Sequence, residues 1–301
     1  MYSSFNARAV GLDLPPDIAI DLAASHGFGG VDLMVRDLVD RGYDPRALRA
    51  RMDHVGLRGG AWPLSIAWRD TAEPAFRRDL IGLDRYAEAA SILGLMRTGT
   101  WVEPEAPLIG DLGPELSLDI AFDRHLSRLG AIARVLDRHG IRLGLEVIGV
   151  ESFRPGHGPA FIARLGEPRL RQLLDCLAQS GPEVGLLLDL WHLYASGEAW
   201  EDVQGLVRGV GRIVWVHVAD LPAGARPDRG QMIDSLRGLP GDHGAIDCRF
   251  ILECLSREGF DGPVTAEPLA VHPDWAGLPP DEVVSRISRA MDRVWPAPAP
   301  Q

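Results

Sequence analysis

Short, unbroken apolar runs alternate with amphipathic stretches along the whole chain. The runs at 6–12, 30–34, 57–62, 96–102, 142–147, 184–189, 213–218 and 264–267 read as strands buried on both faces, the pattern of a parallel sheet. Between them, residues 16–26, 45–54, 74–93, 118–139, 169–179, 200–210, 247–258 and 280–294 carry helical periodicity. Proline at or near the starts (Pro16, Pro45, Pro74, Pro280) and glycine past the ends (Gly27, Gly56, Gly94, Gly140, Gly259) are the expected boundary residues. Eight strand–helix pairs in strict alternation predict a single (β/α)8 TIM barrel over residues 1–295, followed by a disordered tail at 296–301. A doubly wound open sheet is the competing architecture. No GxGxxG follows the first strand, which weakens its nucleotide-binding version.

The last four predicted strands each end in a potential ligand: Glu146 in GLEV, Asp189 in LLLDLWH, His217 in VWVHVAD and Glu267 in VTAEP. In a barrel these ends form one ring at the mouth. Three carboxylates packed together repel and do not all ionise unless a cation joins them. Three oxygen donors and one imidazole suit Mn²⁺, Mg²⁺ or Co²⁺ better than a closed structural zinc site. Any one of these acids could instead cap the next helix; four in succession favour the metal. Two long connections, residues 148–167 and 221–246, fall on the same face, where active sites are built.

Composition narrows the chemistry. All 31 basic residues are arginine, and without lysine there is neither Schiff-base chemistry, pyridoxal phosphate included, nor a Walker-type phosphate loop. A net charge of −11 and the absence of a basic run argue against nucleic acid as a partner. The opening MYSSFNARAV lacks the pattern of a secretory signal, and no apolar stretch approaches the roughly 20 residues that span a bilayer. Three cysteines without a CxxC suggest reduced thiols and a cytoplasmic location.

From residue 141 to residue 269 the chain resembles the sugar phosphate isomerase/epimerase family, the xylose-isomerase-like TIM barrels. The resemblance rests on GLEVIG, VGLLLDLWHLYASG, VWVHVAD, LPGDHGAID and GFDGPVTAEPL; the first half matches only in pattern, as in GFGGVDLMV. It implies that Glu146, Asp189, His217 and Glu267 bind one divalent metal, that Glu146 and Glu267 exchange substrate protons, and that His192 contacts a substrate oxygen. The implied activity is isomerisation or epimerisation of a small ketose, aldose or derivative through an enediolate. Mn²⁺ is the first candidate ion, with Mg²⁺, Co²⁺ and Zn²⁺ as alternatives. An inosose- or dehydroshikimate-type dehydratase is the second reading, although dehydratases of this kind often have a histidine where Ile148 stands. A non-catalytic sugar-binding protein is a third. An apurinic endonuclease would need more ligands and a less acidic chain. A homo-oligomer is compatible with the sequence.

Other candidates come from the loops. Arg237, beside the tight turn of RGLPGDHG, is expected to bind substrate, oriented by Asp234, whereas Arg226 and Arg229 are equally explained by surface ion pairs. Glu151, Arg154, His157, His243 and His272 are weaker candidates. Among Trp62, Trp68, Trp101, Phe153 and Trp191, at or just after strand ends, Trp62 and Trp101 are the expected pocket-lining pair for a sugar or polyol.

Overall fold

The first strand forms earlier than the apolar pattern predicts. In the computed structural model, which describes residues 1–69, 71–107, 113–154, 156, 158–179, 181–208, 213–269, 275 and 277–297, β1 is Tyr2–Phe5. The predicted run 6–12 is instead a turn: Asn6 Oδ1 accepts from the Ala9 amide at 3.1 Å, a 3₁₀ turn covers Arg8–Val10, and Gly11 closes it at φ 74°. Ala9 and Val10 are buried all the same, so the apolar signal was core packing from a turn.

The remaining strands are β2 (Gly30–Val31), β3 (Arg58–Gly59), β4 (Trp62–Pro63), β5 (Arg97–Trp101), β6 (Arg142–Glu146), β7 (Val184–Asp189), β8 (Ile213–Val218) and β9 (Pro263–Ala266). Among the described residues they form one parallel sheet in the order β3-β2-β1-β9-β8-β7-β6-β5-β4. Its two edges, β3 and β4, are halves of the predicted third strand: one half pairs with β2, the other with β5. The chain itself therefore closes the ring, and the fold is an α/β TIM barrel.

The interruption of the third strand has a cause. Asp32, buried just past β2, accepts hydrogen bonds from Ser4 Oγ (2.6 Å), the Ala61 amide (2.7 Å) and Thr265 Oγ1 (2.7 Å). A Cβ on Gly60 would lie 2.0 Å from Asp32 Oδ1 and 2.2 Å from Ser4 Oγ, so only glycine lets the strand pass this carboxylate. Burial raises the Asp32 pKa, with the hydrogen bonds from Ser4, Thr265 and Ala61 opposing it.

Helices α1 (Pro16–Ser25), α2 (Val35–Asp40), α3 (Pro45–His54), α4 (Glu73–Leu93), α5 (Pro114–Asp137), α6 (Pro168–Gln179), α7 (Leu190–Ser196), α8 (Trp200–Val207), α9 (Cys248–Arg257) and α10 (Pro280–Val294) supply the outer layer. Two of them, α2 and α7, are short and not expected from the pattern; α7 starts directly at the end of β7 and α2 a few residues past β2, and each segment is too brief for a helical period. Of the predicted tail, residues 298–301 lie outside the described residues. No helix of the described residues is long and apolar enough to cross a membrane.

Candidate metal centre

β6, β7 and β8 carry Glu146, Asp189 and His217 at their C-terminal ends, and Glu267 comes directly after β9. Register aligns two of them: Asp189 is the partner of His217 across β7 and β8. One ligand atom from each of the four residues lies within 4.8 Å of the others. Asp189 also performs the helix-capping role that any strand-end acid could have had: its Oδ1 accepts from the Trp191 amide at 2.8 Å and opens α7. Its second oxygen turns toward the cluster.

There Arg237 Nη1 donates to Asp189 Oδ2 at 2.6 Å and to Glu267 Oε2 at 3.1 Å. Its other nitrogens reach Asp234 Oδ1 at 3.0 and 3.2 Å. Nη2 also lies 3.1 Å from His192 Nε2, which must accept, so this network puts the His192 proton on Nδ1. His217 is different. Its Nδ1 lies 3.0 Å from Glu267 Oε2 and 3.8 Å from Glu146 Oε1, yet among the described residues neither ring nitrogen has a well-formed hydrogen bond. A buried imidazole in that state, facing three carboxylates, is costly alone and suits coordination of a divalent cation. The residues therefore fit such an ion: Glu146, Asp189 and Glu267 would give oxygen, His217 nitrogen.

The electrostatics are set by burial. Glu146 is pushed up to about 7 by burial, with His217 opposing and Glu267 and Asp189 adding to the rise. Burial acts the same way on Asp189, but Arg237, His192 and His217 outweigh it and hold that carboxyl well below the usual range. Burial lowers the His192 pKa. Burial opposes the charged form of His217, but Glu267 and Glu146 outweigh it and raise this ring.

The cluster forms the floor of a cleft of about 360 Å³, within the size range of small-molecule sites. Glu146, His217 and Glu267 line it, facing Trp101, Arg69, Leu64 and Leu269. Asp189, His192 and Arg237 are nearly or fully buried and sit behind that floor. Trp101 is in the cleft wall as expected, stacked under the Arg69 guanidinium at 3.5 Å and edge-on to Phe153 at 6.0 Å. Trp62 is not. It is fully buried and donates from Nε1 to Leu95 O at 3.0 Å, because the break in the third strand turns it into the core. Trp68 donates to Thr100 Oγ1, and Trp191 is buried beneath Arg237. Arg226, Arg229 and Glu151 are exposed, and neither they nor Arg154 and His243 line the cleft. His157 and His272 lie outside the described residues.

Several cleft residues are hard to find from sequence. Trp215, two positions before His217 on β8, shares its side of the strand, a placement that period-two alternation does reveal. Arg69 and Asn6 sit in irregular segments with no pattern to mark them. Leu269 adopts φ 56°, a left-handed conformation rare outside glycine, and its amide donates to Ala9 O at 2.8 Å.

A sequence profile of the xylose isomerase-like TIM barrel matches residues 20–292. The chain belongs to that family. Among solved structures, the family's likeness is clear in a xylose isomerase domain protein from Alicyclobacillus acidocaldarius subsp. acidocaldarius, 24% identical over 97% of each chain with a TM-score of 0.78. The IOLI protein with a bound zinc atom is 17% identical over 98% of each chain, TM-score 0.76. D-psicose 3-epimerase from Clostridium cellulolyticum H10, solved with D-tagatose, is 14% identical, covers 99% of this chain and 100% of its own, and has a TM-score of 0.66. At these identities the likeness is one of fold. No curated protein matches the chain by sequence.

Proposed function

We propose that this protein is a divalent-metal-dependent sugar isomerase or epimerase that moves a substrate proton through Glu146 and Glu267. The observation that carries the reading is the convergence of Glu146, Asp189, His217 and Glu267, three of them opening into a cleft of small-molecule size. A divalent cation held by these four would supply Lewis-acid polarisation of a sugar carbonyl and its neighbouring hydroxyl. Mn²⁺ suits the donor set, with Mg²⁺, Co²⁺ and Zn²⁺ as alternatives; the zinc of the IOLI relative supports a divalent ion on this fold.

The chain's own part is proton transfer and positioning. Glu146 and Glu267 stand on β6 and just past β9, with β7 and β8 between them, so they reach a bound sugar from two directions. One carboxylate removes the proton beside the carbonyl, giving an enediolate. Return by the other inverts that carbon, and return to the neighbouring carbon isomerises the sugar. Arg237 braces Asp189 and Glu267 from behind the floor, and His192 in turn backs Arg237. Trp101 packs on a C–H face of the sugar. Three free cysteines are in keeping with a cytoplasmic location. The dehydratase alternative gains nothing here, because Ile148 is a buried apolar residue and brings no acid or base to the site.

The test tracks the proton. Turnover in D₂O should place deuterium on the carbon beside the carbonyl, in product and gradually in recovered substrate. Glu146→Gln or Glu267→Gln should each stop epimerisation while the remaining carboxylate still exchanges one proton. Full turnover without deuterium incorporation would overturn the two-carboxylate mechanism.

A further inference from the structure

The guanidinium of Arg237 lies 1% exposed, against two of the four residues that would hold the metal. A buried arginine is tolerated only when its charge is met, and here Asp189 and Glu267 meet it through one nitrogen, with Asp234 on the others. Asp234 is 26% exposed and is not one of the four residues that would touch the ion. The inner carboxylates Glu146, Asp189 and Glu267 bring three negative charges. Arg237 cancels one and leaves two. A neutral histidine ligand adds none.

We propose that Arg237 sets the charge that the centre accepts: it is a specificity-determining residue that matches the carboxylate cluster to a dication and rejects a trication. The proposal rests on the reading of the cluster as a metal centre. The physical basis is that desolvated charge is costly unless balanced, and that a fixed unit charge a few ångströms away acts in proportion to the valence of the ion. Arg237 repels a trivalent ion half as much again as a divalent one. Taking that charge away therefore favours both ions, and the trivalent one more. A guanidinium that merely held the ligands in place would do the opposite, and its loss would loosen both ions alike.

The experiment compares Mn²⁺ binding, by electron paramagnetic resonance, with Tb³⁺ binding, by sensitised luminescence, in the wild type, Arg237→Gln and Arg237→Lys. Arg237→Gln should shift the ratio of affinities toward Tb³⁺ by at least tenfold, as expected for a unit charge at this range in a medium of effective dielectric about 20. Arg237→Lys keeps the charge without the planar fork and should keep the wild-type ratio. If Arg237→Gln is poorly folded without an ion, the same ratio is read from the thermal upshift that each ion gives. An unchanged ratio, or equal weakening of both ions that lysine fails to rescue, would overturn the proposal. A wild-type protein that binds neither ion would instead refute the metal centre itself, so the two failures are distinct.

Discussion

At the level of single residues, the cleft separates groups that touch its contents from groups that hold the wall. Trp101 and Trp62 stand at equivalent places in the pattern of strand ends, yet one is in the cleft and the other is core, because the Asp32 carboxylate just past β2 breaks the strand just before Trp62. Leu269 is the clearest case of a residue placed against its own preference. Holding a leucine at φ 56° costs about 1 kcal/mol, and its side chain remains 42% exposed at the cleft edge, so packing does not repay it. Leu269→Gly should therefore leave the unfolding free energy from urea denaturation within about 1 kcal/mol of wild type, the relieved strain offsetting the glycine's greater unfolded-chain entropy. The same variant should raise the KM several-fold by removing an apolar wall. A KM that does not move would take Leu269 out of substrate binding.

Among elements and loops, the end of β8 shows how one strand-end acid can anchor a long connection. Asp220, two residues past β8, accepts from the amides of Leu221 (2.8 Å), His243 (3.1 Å), Gly244 (2.5 Å), Ala245 (3.2 Å) and Ile246 (3.1 Å). Its own backbone pairs with Gly238, next to Arg237. The carboxylate thus gathers both ends of the loop at 221–246 and fixes the place from which Arg237 reaches the cluster. Asp220→Ala leaves those donors without an acceptor and should cost roughly 2–4 kcal/mol by urea denaturation, with Asp220→Asn in between because one oxygen remains. Equal stability in all three proteins would show that water replaces the carboxylate freely. None of this was legible in the sequence, where VWVHVAD and LPGDHGAID stand as separate motifs; the bond between them is long-range and uses backbone amides, which leave no residue signature. The strands from β5 to β9 and the four-residue cluster were legible, because continuous apolar runs ending in an acid or histidine have few other uses. The first three strands were less so: they are two to four residues long, and turns and side-chain hydrogen bonds do part of their work.

For the molecule as a whole, pH acts on stability through groups outside the cleft as well as within it. His125 on α5 is fully buried; its Nδ1 donates to Ala121 O at 2.8 Å and its Nε2 accepts from the Glu103 amide at 3.3 Å. Only the neutral ring can do both. Burial pushes this imidazole down to about 4, whereas in the unfolded chain it titrates near its ordinary 6.5. Below pH 6.5 the unfolded chain takes up a proton that the folded chain refuses. The contribution is thus complete above about 6.5 and is lost as pH falls toward 4, by at most about 3 kcal/mol. Comparing urea midpoints at pH 7 and pH 5, the wild type should lose more stability than His125→Gln. Parallel losses in the two proteins would assign the acid sensitivity elsewhere.

The break in the third strand has a consequence for the kinetics of the barrel. Elsewhere around the cylinder an amide is protected from solvent exchange by a neighbouring strand's carbonyl, so its protection reports on the pairing of two backbones. At Ala61 the acceptor is the side chain of Asp32, which is itself tethered to Ser4 on β1 and Thr265 on β9. The two halves of the third strand belong to different ladders, and this carboxylate is the clasp between them. Exchange at the Ala61 amide is therefore a local clock for opening and closing of the cylinder, set by one buried acid rather than by the length of any strand.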